Sequence, residues 1–381
     1  MKILLAPDSF KGSMTSNHII ELLSLSAQKH FKDCEIVSVP MADGGEGTAD
    51  VMIEIMHGSR KSCNVTGPLG EPVEAFYGIL SPSTAIIEMA AASGLPLVPQ
   101  EKRNPLETTS YGTGELIRHV LEEGCQNIIL AIGGSATNDG GMGAAAALGV
   151  TFSDKDGLPL EPVGKNLGKI HQIHTEQIFP KLADAKITIM CDVKNPLIGE
   201  NGATRIFGPQ KGGTKEQLVF LEEGMTHYAS FIKKQFNKDF SSMEGAGAAG
   251  GISIPFLLFS NARLSSGIQT VLDTIHFDAL LEGVDLVITG EGRVDAQSPN
   301  GKVLSGIGRA CRERNIPAAA IVGGMGNGAQ NIYDCGIDSI MPIVNNAMEL
   351  DTAIRNCDEL LSDAADRMFR FIKMGIHITN R

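Results

Sequence analysis

The chain is 381 residues long, too long for one ordinary hydrophobic core, so two domains are expected. With 43% apolar and 20% charged residues it has the composition of a globular enzyme, and its net charge of −12 argues against nucleic acid or an anionic membrane as a partner, since both need a basic face. No apolar run approaches the eighteen or so residues of a membrane span, no leader pattern follows Met1-Lys2, and the seven cysteines are scattered without a CxxC, so a cytoplasmic location with reduced thiols is expected.

From the N-terminus the pattern alternates. Lys2–Pro7 reads as a buried strand, residues 16–31 carry helical spacing, Glu35–Pro40 is a second strand and Gly47–Met56 a second helix. Hairpin-like pieces follow at 71–80 and 84–89, then a polar turn at 153–159 and helix-rich stretches. Near the C-terminus, residues 285–289, 318–322 and 339–343 read as strands, with helices over 302–314 and, as one long amphipathic element, 350–374. The βαβα rhythm at both ends predicts one doubly wound, Rossmann-like parallel sheet of about five strands, built from residues 1–66 and 283–381. Residues 67–282 are expected to form an inserted α/β domain, with crossings near Gly67-Pro68 and Gly283.

Forty-four glycines cluster after the apolar runs, where an open α/β sheet binds its ligands. APDSFKGS (6–13) places Asp8, Ser9 and Lys11 within four residues, and MADGGEGT (41–48) sets Asp43 and Glu46 around two glycines. Helix capping alone would explain one such acid, but less easily both loops. Lys11 is the best cation here for a carboxylate or phosphate. In GGSATNDGG (133–141), Gly133 and Gly134 offer free N–H groups, Ser135 and Thr137 offer hydroxyls, and Asn138 or Asp139 is placed to cap a helix or ligate a metal. This loop is neither GxGxxG nor GxxxxGK[ST], so a dinucleotide fold and a P-loop are both unsupported. CDVKNPLIG (191–199) puts Asp192 at a strand tip, positioned to orient or deprotonate a hydroxyl or to hold Mg²⁺. GEGRVDAQSPNGK (290–302) gathers Glu291, Arg293, Asp295 and Lys302, and GAGAAGG (245–251) adds Gly245 and Gly247. His171 and His174 have HxxH spacing without further ligands nearby and read as a solvated face. Backbone donors, a few cations and many carboxylates together suit a phosphorylated ligand held with a metal ion.

These segments, with FGPQKG (207–212), occur in an order that resembles the bacterial glycerate kinase family, of the type similar to glycerate 2-kinases. The resemblance spans essentially the whole chain. It implies a two-domain α/β kinase without a P-loop that phosphorylates D-glycerate from Mg·ATP, usually at the 2-hydroxyl, giving 2-phospho-D-glycerate and ADP. On that reading Lys11 and Arg293 grip the glycerate carboxylate, with Asp8, Ser9 and Asp43 completing the substrate site. Asp192 orients or deprotonates the hydroxyl, and Asp139 or Glu291 holds Mg²⁺ by way of the ATP phosphates. Gly133, Gly134, Ser135, Thr137, Asn138, Gly245 and Gly247 meet the nucleotide. The competing readings are 3-hydroxyl regiochemistry and a non-catalytic two-lobed binder of hydroxy acids or other anions. A binder needs glycines and cations but no surplus of acids, so the acids at the strand ends favour the kinase.

Overall fold

The computed structural model describes residues 1–299 and 301–379. Its strands in chain order are β1 (Lys2–Pro7), β2 (Glu35–Ser38), β3 (Ser59–Thr66), β4 (Pro72–Ser81), β5 (Thr84–Glu88), β6 (Asn127–Ala131), β7 (Thr151–Ser153), β8 (Gln172–His174), β9 (Lys186–Met190), β10 (Arg263–Ser265), β11 (Leu286–Val294), β12 (Ala318–Met325) and β13 (Ser339–Pro342). The chain divides into two compact units, Met1–Asp43 with Gly267–Arg381, and Gly44–Ser266.

The first unit is a five-stranded sheet in the order β13-β12-β11-β1-β2, parallel at every pairing. Ile3 to Ala6 of β1 are wholly buried, as a strand covered on both faces must be. Ile3, Leu5, Ile288 and Ile321 share one core with Ile19, Leu23 and Ala27 of the helix Ser16–His30 and with Leu361, Ala365 and Phe369 of the last helix, Cys357–Thr379. Thr15 caps the first of these helices by accepting from the His18 amide at 3.3 Å, and Lys29 and His30 in its last turn complement the dipole. The doubly wound sheet expected from the two chain ends is present.

The second unit is a mixed sheet in the order β10-β9-β6-β5-β4-β3, parallel from β10 to β5 and antiparallel from β5 to β3, with a separate β7-β8 pair.

The unit boundaries differ from the expected residues 66 and 283. Residues 44–66 join the second unit because β3 pairs along its whole length with β4. That strand is an edge, exposed from Ser59 to Ser62, and it lacks the apolar alternation that would have marked it. Gly267–Thr274 joins the first unit because Ile268 packs on the helix Val303–Glu313 at Gly306. The expected single helix over 350–374 is two, Leu350–Arg355 and Cys357–Thr379, because Asn356 leaves helical geometry at φ −104°, ψ 17°.

Candidate active site

In the first unit β1 leads outward to β2 while β11 leads the other way to β12 and β13, so the winding reverses between β1 and β11. The carboxyl ends of strands at such a reversal leave a crevice that the flanking connections do not fill. Asp8 follows β1 and donates its own amide to the Gly290 carbonyl at 2.9 Å. Its Oδ1 accepts from the Ser9 amide at 2.6 Å. Burial, then the neighbouring Asp43 carboxylate, pushes the Asp8 carboxyl up to about 6, against the pull of the Ser9 amide and Lys11. Glu291 on β11 is also buried and accepts from the Ser298 hydroxyl at 2.6 Å. Burial raises it to about 7, with Asp8 and Asp43 adding to the rise and Ser298 and Lys302 opposing it.

Arg293 leaves its side chain 73% exposed and meets Asp295 at only 3.7 Å, a weak pair that keeps the guanidinium available. Gly292 lies between Glu291 and Arg293. A Cβ there would press on Phe10 Cα at 3.3 Å, so the Phe10-Lys11 backbone rests directly on β11. The result is a cleft of about 700 Å³ whose polar end is lined by Asp8, Ser9, Lys11, Asp43, Glu291, Arg293 and Lys302. Six of these were singled out in the sequence as acids, cations or a hydroxyl for the site, and Lys302 stood in the same motif as Glu291 and Arg293. Among the described residues, no three His, Cys, Asp or Glu side chains gather in a metal-holding group.

The second unit treats its glycine-rich loops differently. After β6, Gly133 and Gly134 are exposed, but Ser135, Thr137, Asn138 and Asp139 are buried. Asp139 accepts from the Ser110 amide and hydroxyl, both at 2.8 Å, and from the Gly141 and Gly143 amides at 3.1 and 3.2 Å. Three of those bonds fall on Oδ2 and one on Oδ1, bracing the loop at the start of the helix Met142–Ala147, and burial raises the carboxyl. Thr137 and Asn138 are likewise enclosed. Lys211 donates to the Thr137 carbonyl at 2.6 Å, and the Asn138 amide donates to Thr204 Oγ1 at 3.0 Å.

Gly245 and Gly247 are also buried. Gly247 donates its amide to the Asn195 carbonyl at 3.0 Å, and a Cβ on it would lie 2.1 Å from the Pro196 carbonyl oxygen. These glycines carry the 192–197 segment, on which Asp192 is exposed beyond β9. Lys211 and Ser298 fell inside motifs recognised in the sequence, but neither was singled out. Only the framing of Lys211 by Gly208, Pro209 and Gly212 in FGPQKG signalled a constrained backbone around it.

A doubly wound parallel sheet with a charged cleft at its point of reversal defines an α/β enzyme that acts on a small polar molecule. The model of the Glycerate kinase family matches residues 3–373, and the chain belongs to that family and is an enzyme of it. It is 43% identical over 378 residues to the glycerate kinase of Haemophilus influenzae, covering 99% of this chain and 100% of that one. It is 43% identical over 377 residues to the glycerate 2-kinase of Escherichia coli, covering 99% of this chain and 99% of that one. A crystal structure from Salmonella typhimurium LT2, described as a glycerate kinase 2, is similar at a TM-score of 0.89 and 40% identity over 99% of both chains. No helix among the described residues is long and apolar enough to cross a membrane.

Proposed function

We propose that the enzyme transfers the γ-phosphoryl group of Mg·ATP to the 2-hydroxyl of D-glycerate, giving 2-phospho-D-glycerate and ADP. The observation that carries this reading is the polar end of the cleft, where Lys11, Arg293 and Lys302 stand among Asp8, Asp43 and Glu291. The choice of the 2-hydroxyl rests on the relative from Escherichia coli, which is named a glycerate 2-kinase.

Phosphoryl transfer asks for positioning and charge neutralisation more than covalent chemistry. In this reading Lys11 and Arg293 clamp the glycerate carboxylate, while Ser9 and Asp43 orient its hydroxyls. Asp8 takes the base role that the sequence assigned to Asp192. It is enclosed and binds a proton near neutrality, where a general base works best, whereas Asp192 is exposed. Lys302 faces the transferring phosphate. Mg²⁺ keeps few protein ligands in kinases and is held largely by phosphates and water, which fits a cleft that offers single carboxylates rather than a closed cage. Glu291 would hold it, and bound Mg²⁺ would neutralise charge on the transferring group.

Phosphorus-31 NMR of the product from D-glycerate and Mg·ATP tests the proposal. A 2-phosphoglycerate resonance rising with ADP is the expected result. A 3-phosphoglycerate resonance overturns the regiochemistry, and an unchanged ATP spectrum overturns the kinase reading.

A further inference from the structure

The cleft of the first unit is much larger than a three-carbon acid requires. At about 700 Å³ it lies within the range of roughly 300–1,000 Å³ typical of pockets that bury drug-sized ligands. Its lining changes character along the sheet edge. The acids and cations stand at the ends of β1 and β11, Gly323 and Gly324 follow on β12, and Ile343, Val344, Met348, Leu350 and Ile354 form the wall beyond β13. Gly324 lies opposite Arg293 in the β11–β12 register, and the place where its side chain would stand is open. The floor between the two ends is therefore bare backbone.

The fold buries Ile343 but leaves the outer part of this apolar end exposed. Leu350 is 72% exposed, Met325 49% and Ile354 36%, and all three line the cleft. Large apolar side chains gathered on one concave surface mark a ligand groove. An occupant that satisfies the whole cleft has a flat apolar head, a polar middle and a polyanionic tail. A nucleoside triphosphate has that form, and glycerate does not.

We infer that the apolar end of this cleft, walled by Ile343, Val344, Met348, Leu350 and Ile354, seats the purine of the phosphoryl donor, with its ribose over Gly323-Gly324 and its phosphates at Lys302. This deepens the proposed function and rests on its reading that a nucleotide is the donor. It puts the base in the first unit, not on the 133–139 loop to which the sequence assigned the nucleotide.

Leu350→Asp and Ile354→Asp test it, since both side chains are exposed enough for the fold to tolerate the change. Titration calorimetry measures the dissociation constants of ATP and of inorganic tripolyphosphate, and steady-state kinetics measures KM for glycerate. ATP affinity should fall about tenfold or more in each variant, from lost apolar contact with the base. Tripolyphosphate affinity and glycerate KM should stay within about twofold of wild type. An unchanged ATP affinity in both variants, or a loss that falls equally on tripolyphosphate, overturns the base pocket while leaving the kinase reading intact. Wild-type enzyme that neither binds nor consumes ATP overturns both.

Discussion

Lys211 is enclosed in the second unit with its Nζ donating to the Thr137 carbonyl oxygen at 2.6 Å, so one buried amine ties down the backbone of the 133–139 loop. Burial lowers the Lys211 amine from 10.5 to about 7, with the nearby Asp139 carboxylate pulling the other way. Between those two values the unfolded chain holds a proton on Lys211 that the folded chain has lost. Stability contributed by this residue therefore rises with pH across that window, by at most about 1.4 kcal/mol per pH unit. Urea midpoints measured from pH 7 to 9.5 should increase for wild type relative to Lys211→Met, in which this term is absent. Parallel curves would show that Lys211 keeps its charge when folded.

Gly247 and Gly324 form a second, paired test. A methyl group on Gly247 meets the Pro196 carbonyl oxygen at 2.1 Å, whereas one on Gly324 meets nothing within 4 Å. Gly247→Ala should lose about 1–3 kcal/mol of stability and displace the Asp192 segment. Gly324→Ala should stay within about 0.5 kcal/mol of wild type. Equal stabilities by urea unfolding would remove the packing explanation for the 245–251 glycines.

That contrast marks where the sequence was legible. Strand β1, the helix from Ser16 and strands β11 to β13 stood out because they alternate between apolar runs and capped turns. The edge strand β3 did not, since Arg60, Lys61 and Ser62 face outward and carry no core signal. Asp8, Lys11, Glu291 and Arg293 were found because a strand end with a charge and a glycine is a local pattern. Nothing local separates an acid that faces a cleft from one that braces a loop. Asp139 and Glu291 look alike in sequence, and one difference between them is that Ser110, distant in the chain, supplies two donors to the first.

Asp8 makes the pH dependence of turnover predictable. Its carboxyl sits at about 6, and a general base acts only when ionised, so kcat/KM for glycerate should climb through pH 6, with a second rise from Glu291 near pH 7 before it levels off. Asp8→Asn should cost roughly 10²–10⁴ in kcat and abolish the first limb. The limb left by Glu291 should persist in the variant but move to lower pH, because burial still raises that carboxyl while the Asp8 charge that adds to the rise is gone. Both limbs surviving in Asp8→Asn would exclude Asp8 as the titrating group.

Asp192→Asn completes the comparison between the two candidate bases. Asp192 is exposed at the tip beyond β9, whereas Asp8 is enclosed in the cleft. With Mg²⁺ saturating, Asp192→Asn should therefore lower kcat by less than about tenfold, well short of the roughly 10²–10⁴ expected for a general base. The decisive measurement is kcat for Asp8→Asn and Asp192→Asn side by side across a series of Mg²⁺ concentrations. A loss in Asp192→Asn that high Mg²⁺ restores would make this carboxylate a metal ligand, because excess cation compensates for weakened ligation but not for a missing base. A loss as deep as that of Asp8→Asn, unrelieved by Mg²⁺, would return the base role to Asp192.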